Sequence, residues 1–173
     1  MHPSFHPLFI RFCTYFNGNQ DYFECHEVLE EYWKEIAPGD KEHPLVGFVQ
    51  LATAMYHWRR GNVKGASRTL SKALTLFNKN RTSPFFDNID MRALYENMGL
   101  IMQKIKEAEP FSPFQLVITN NQLQTVVARE IQNLPKFDIA FLTDKHMLRD
   151  RSEIIAEREM KIKMKRTKKG GAE

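Results

Sequence analysis

Cysteine is nearly absent from this chain: Cys13 and Cys25 are the two thiols among 173 residues. Both sit inside apolar helical patterns, so the chain is no disulfide scaffold, and free buried cysteines in a reducing compartment are expected. Long apolar runs are missing too. None approaches the roughly 18 residues needed to cross a bilayer, and the opening MHPSFHPLFIRFCTYF lacks the basic start, greasy stretch and small-residue cleavage site of a secretory signal. A cytoplasmic protein with no membrane partner is therefore expected. There is no Gly-x-Gly-x-x-Gly, no Walker loop, no Gly-x-Ser-x-Gly and no Cys-x-x-Cys, which leaves dinucleotide, nucleotide and zinc-ribbon readings without support. No β-type alternation appears, and no repeat is long enough for a solenoid. Charge of one sign is also scarce over most of the length. Residues 1–80 hold 9 Lys/Arg against 8 Asp/Glu, and residues 81–145 hold 7 against 8. Residues 146–173, with 9 against 5, carry the formal excess of +4, so an anionic partner would meet that part of the chain.

What is present is helical periodicity punctuated by turn formers. A first helix is expected from about Pro7 to Phe16, ended by Asn17-Gly18-Asn19. Asp21 reads as the cap of a second, with Glu24 as capping-box partner and Tyr22, Cys25, Leu29, Trp33 and Ile36 as its apolar stripe. Pro38-Gly39-Asp40 closes it. His43-Pro44 opens a third helix, which stops at Gly61-Asn62. The connection to a fourth helix, about Val63 to Phe77, is so short that the two must lie antiparallel. Ala66 and Ala73 on that fourth helix allow close approach of the axes. Asp90 caps a helix to Ile105; Phe114 to Ile118 is extended or a buried loop. Asn120 or Asn121 starts a helix to Leu134, and a last one begins between Asp144 and Ser152. The expected fold is an all-α compact bundle of six to seven helices built from antiparallel hairpins. Residues 1–145 form its single domain, and residues 146–173 supply a C-terminal helix with a basic, partly disordered tail.

At about 100° per residue, His26 and Glu30 fall on neighbouring turns of the second helix, at the edge of the apolar stripe beside Trp33. Glu27 and Glu31 form a second pair nearer solvent. Gln50, Ala54, His57 and Gly61 share one narrow face of the third helix. A partner packed there would bury Gln50 and His57, which then need hydrogen-bond partners, and His26 or Glu30 is the natural supply. Three readings follow. Glu30 can accept from His57 or His26 and simply orient two helices. Two imidazoles and one or two carboxylates (His26, Glu30, His57, with Glu27) can hold a divalent metal. However, no Glu-x-x-His of the di-iron type occurs, and Glu30 stands where a zinc-protease motif needs its second histidine. Third, a metal-free pocket can bind a small polar ligand or move a proton through Glu30 and His57, the catalytic pair if the protein is an enzyme.

Toward the C-terminus, Arg149 and Arg151 are placed to clamp a carboxylate or phosphate, or to pair with Asp144, Asp150 or Glu153 on a solvated face. The basic run over 161–169 suits weak, salt-sensitive contact with nucleic acid. Residues 146–173 contain no aromatic side chain to stack bases, which argues against a dedicated single-strand platform.

The stretch Tyr22-Phe23-Glu24-Cys25-His26-Glu27-Val28-Leu29-Glu30-Glu31-Tyr32-Trp33 resembles the DUF309 family. So do Phe48-Val49-Gln50-Leu51-Ala52, His57-Trp58-Arg59-Arg60-Gly61-Asn62 and Gly65-Ala66. The later Asn-Ile-Asp and Lys-His-x-Leu-Arg-Asp-Arg segments are similar to its longer, YpuF-like branch. The resemblance implies a compact helical bundle in which Glu24, His26, Glu27, Glu30, Trp33, Gln50, His57, Asn62, Gly65 and Ala66 are the family positions; it brings no activity with it. The functional expectation is a small-ligand or partner-binding protein with a polar His/Glu/Gln pocket. His26, Glu27, Glu30, Gln50, His57 and Asn62 contribute to it, with Trp33 as its apolar wall. The alternatives are a metal-assisted hydrolase and an RNA- or ribosome-associated accessory protein. No resident cofactor is expected unless a divalent metal binds.

Overall fold

The computed structural model describes residues 1–136, 139–145 and 158–167. The chain divides into two compact units, Met1–Thr143 and Asp144–Glu173. In the first, all the regular elements among the described residues are helical: α1 (Pro7–Asn17), α2 (Tyr22–Ile36), α3 (Pro44–Arg59), α4 (Val63–Lys79), α5 (Met91–Lys106), α6 (Asn121–Gln132) and α7 (Ile139–Thr143). Single 3₁₀ turns at Pro3–Phe5 and Pro84–Phe86 complete it. In the second unit, residues 158–167 are helical and exposed. Among the described residues no helix is long and apolar enough to cross a membrane.

Three histidines set the starts of these elements by one device. His2, His6 and His43 each precede a proline, and each imidazole accepts the backbone N–H two residues on: Ser4, Leu8 and Leu45. Proline supplies a preset φ and no N–H of its own, so the ring takes the next orphan donor of the first turn. His43 Nδ1 must keep its lone pair to do this, at 3.2 Å from Leu45 N. Burial also pushes His43 below its ordinary value, against a smaller opposing pull from Asp40. The unfolded chain therefore takes up the proton first, and stability falls as pH drops below about 6.5. Replacing His43 by Asn, a cap that does not titrate, is expected to flatten the fall in Tm between pH 7 and pH 5. A thermal melt series in that window checks it.

The α1–α2 and α3–α4 pairs pack as antiparallel hairpins, and their shared interior is aromatic. Phe9, Phe12, Phe16, Phe48 and Phe77 are all fully buried. The Phe48 ring lies 4.9 Å from Phe77, 5.3 Å from Phe12, 5.6 Å from Phe9 and 5.7 Å from Phe86, so one side chain joins α1, α3, α4 and the Pro84 turn. Ala66 and Ala73 are fully buried on α4, as their size requires. The closest approach comes from the other helix: a Cβ at Gly47 would fall 2.6 Å from the Phe77 ring.

Several boundaries and faces differ from expectation. Val28 and Tyr32 turn inward on α2, whereas Ile36 is 45% exposed and Trp33 only half-buried. The N-terminal segment decides this: His6 stacks on Tyr32 at 4.0 Å, and the Tyr32 hydroxyl donates to Pro3 O. Residues 114–118, expected to be either extended or a loop, are a loop with a single antiparallel bridge, Ile89 to Ile118. α6 stops at Gln132, two residues before Leu134, and α7 was not foreseen. The expected start of a last helix between Asp144 and Ser152 lies mostly outside the described residues. Cys13 and Cys25 are free and buried. Desolvation pushes the Cys13 thiol up to about 12 and holds Cys25 well above the usual range, so neither acts as a nucleophile near neutral pH.

Candidate functional site

The site begins with Asp21. Its carboxylate accepts the Glu24 N–H at 3.1 Å and fixes where α2 starts, which sets the rotation of every later side chain on that helix. One edge then carries His26, Glu27 and Glu30. A ring nitrogen of His26 and one oxygen from each carboxylate lie within 4.8 Å of one another. His26 Nδ1 is 3.3 Å from Glu27 Oε1 and 3.7 Å from Glu30 Oε2. The other Glu30 oxygen, Oε1, accepts a hydrogen bond from Lys34 Nζ at 2.6 Å. That hydrogen bond, reinforced by the Glu30 charge, raises Lys34 above its ordinary value. Lys34 was missed in the sequence, although Glu30-x-x-x-Lys34 is the favourable i,i+4 order on a helix.

Three acceptor-capable atoms that meet in this way repel one another unless something positive lies between them. Either Nδ1 carries a proton and donates to the carboxylates, or a cation takes the place of that proton. The exposures fit both: the side chains of His26, Glu27 and Glu30 are 35%, 48% and 34% accessible. This is an open cluster, not the enclosed pocket expected from the sequence.

His57 does not belong to that group of three. Its Nδ1 lies 3.3 Å from Asn62 Nδ2, and its carbonyl accepts the Asn62 N–H at 2.8 Å. Asn62 in turn caps α4 by accepting the Gly65 N–H at 3.0 Å. This network orders the α3–α4 turn. Gln50 and His57 are both half-buried, where burial was expected. Trp33 does not roof the cluster by any polar contact; its indole N–H donates to Asp40 O at 2.8 Å and ties down the loop after α2. Arg149 and Arg151 lie outside the described residues. Within the basic run, Lys161, Lys163, Lys165 and Arg166 are exposed on the 158–167 helix, and residues 168–169 fall outside the description.

Arg59 was not singled out by its chemistry, yet its guanidinium holds two backbone carbonyls from separate segments. Its Nη1 donates to Gln20 O at 2.8 Å and its Nη2 to Leu142 O at 3.0 Å. The guanidinium lies 4.9 Å from the Tyr22 ring centre and 5.7 Å from that of Phe111. A basic residue in the last turn of a helix was the available signal.

The chain is thus a helical bundle of antiparallel hairpins, with His26, Glu27 and Glu30 on one helix edge. A family model described as a domain of unknown function, DUF309, matches residues 9–69, the span from α1 into α4, and the chain belongs to that family. Across nearly its whole length it is similar to the uncharacterized protein YpuF of Bacillus subtilis (strain 168). The two are 33% identical over 165 residues, covering 91% of this chain and 95% of that one. No solved structure matches it.

Proposed function

We propose that the protein is a binding module of the cytoplasm whose α2 edge captures a divalent transition-metal ion, or a cationic group of a partner, through His26, Glu27 and Glu30. The observation that carries this reading is the convergence of one imidazole nitrogen and two carboxylate oxygens within 4.8 Å. Imidazole and carboxylate together suit zinc or manganese. Lys34 need not leave, because it holds Oε1 while Oε2 faces His26. The two free, buried thiols support a reducing compartment. Three ligands on an exposed edge leave coordination positions open to water or to a partner's side chain, so capture here is of moderate strength.

Thermal melts with added Zn²⁺ or Mn²⁺ test this. At a tenfold excess over Kd, a single native-state site adds about 1.4 kcal/mol, which raises Tm by about 3–6 °C for a chain of this size. The rise is expected to vanish in His26→Ala and to shrink in Glu27→Gln. A Tm unmoved by either ion in the wild-type protein, or moved equally in His26→Ala, would leave the three side chains as a structural hydrogen-bond group only.

A further inference from the structure

Only one oxygen of Glu30 faces His26. His26, Glu30 and Lys34 stand on successive turns of α2, spaced by four residues each, so all three share one face of the helix. Helical side chains lean toward the N-terminus, so Lys34 reaches back over Glu30, and Glu30 reaches back toward His26. Glu30 is the middle rung. Its Oε2 lies 3.7 Å from His26 Nδ1, and its Oε1 lies 2.6 Å from Lys34 Nζ. The Lys34 side chain is 63% exposed, so its hold on Glu30, and not packing in the core, gives it its place.

That division of the carboxylate bears on which ion fits. Zinc holds four donors at about 2.1 Å, so neighbouring donors of a tetrahedral site stand about 3.4 Å apart. His26 Nδ1 lies 3.3 Å from Glu27 Oε1 and 3.7 Å from Glu30 Oε2, both close to that edge. Each carboxylate then gives one oxygen, and Lys34 can stay. Larger, harder ions need more. Calcium gathers about 6–8 oxygens and often takes both from one carboxylate, and manganese shares its preference for oxygen donors. An ammonium on Oε1 denies such ions the second oxygen of Glu30. It also sets a positive charge beside the ion, which weakens every divalent cation by a similar factor.

Resting on the metal reading proposed above, we infer that Lys34 makes the α2 site selective for zinc by reserving Oε1 of Glu30. Lys34→Leu tests this, because leucine forms helix about as well as lysine and has neither charge nor donor. The full-length chain is titrated with Zn²⁺ against a chromogenic indicator, and with Mn²⁺ by the paramagnetic resonance of the free ion. The wild-type protein is expected to prefer zinc. In Lys34→Leu, zinc affinity should rise about fivefold, the weight of one unit charge at about 4 Å in water. Manganese should gain the freed oxygen as well, so the zinc-to-manganese affinity ratio falls by about tenfold. Lys79→Leu removes the same charge from another surface pair, with Glu42 Oε1 at 2.7 Å, and should leave both affinities unchanged. His26→Ala added to Lys34→Leu should abolish the gain in zinc affinity, which ties it to the α2 edge. A rise by one common factor for both ions, or an unchanged ratio, overturns the inference while leaving the metal site in place. Zinc bound by neither the wild-type chain nor Lys34→Leu would instead remove the metal site itself, and the role of Lys34 with it.

Discussion

Replacing Phe48 by alanine is expected to lower stability by about 3–5 kcal/mol, the range for emptying a fully buried phenylalanine site. The position should lie toward the upper end. Its ring meets four other aromatic rings from three separate parts of the chain, and Phe77 already sits hard against Gly47, so neighbours have little freedom to collapse into the void. Native domains are stable by only about 5–15 kcal/mol, so such a loss brings the variant close to unfolding at growth temperature. Phe48→Leu keeps most of the volume and should cost distinctly less. Denaturant midpoints of the two variants check both the size and the order. Equal, small losses would mean that the aromatic cluster does not hold α1, α3 and α4 together.

The second large effect is expected at Arg59. Arg59→Ala removes two hydrogen bonds from a charged donor, each worth about 1.5–3 kcal/mol, together with two cation–π contacts. About 3 kcal/mol is expected once partial exposure is allowed for. The loss is local in origin. Gln20 has a φ of +52°, a left-handed backbone conformation that costs a residue with a side chain about 1–3 kcal/mol unless its surroundings hold it. The Arg59 bond to the Gln20 carbonyl is part of that hold. Arg59→Lys keeps the charge but cannot span both carbonyls with a flat fork, so it should recover less than half of the loss. Hydrogen exchange gives the sharper readout. Amides of residues 18–22 and of α7 should lose protection before the Phe48 core does. Uniform loss across all helices would sink the idea of a local clip.

Which helices form was largely legible because the signals are local. Asp21, Asn62, Asp90 and Asn120 each cap the helix that their type and position announce, and the Gly61-Asn62 turn forced an antiparallel pair. Which face turns inward was less so. Leu29 is buried as its spacing requires, but the choice between Tyr32 and Trp33 rests on the N-terminal segment, more than 25 residues away in the chain, and helical periodicity carries no information about that. His26 and Glu30 could be paired from i,i+4 spacing. Glu27 joining them, and Lys34 holding the far oxygen, depend on rotamers that spacing leaves open.

The all-helical character, the capping positions, the fate of the cysteines and the pairing of α3 with α4 were thus settled by the chain's own order of residues, since each follows from neighbours within a few positions. The openness of the His26 cluster and the withdrawal of His57 into the α3–α4 turn were decided only by the folded molecule. The first depends on what packs beside that helix edge, and the second on the turn that brings Asn62 back to His57. Residues 59 and 142 meet through one guanidinium, and no local pattern records a contact made across eighty residues.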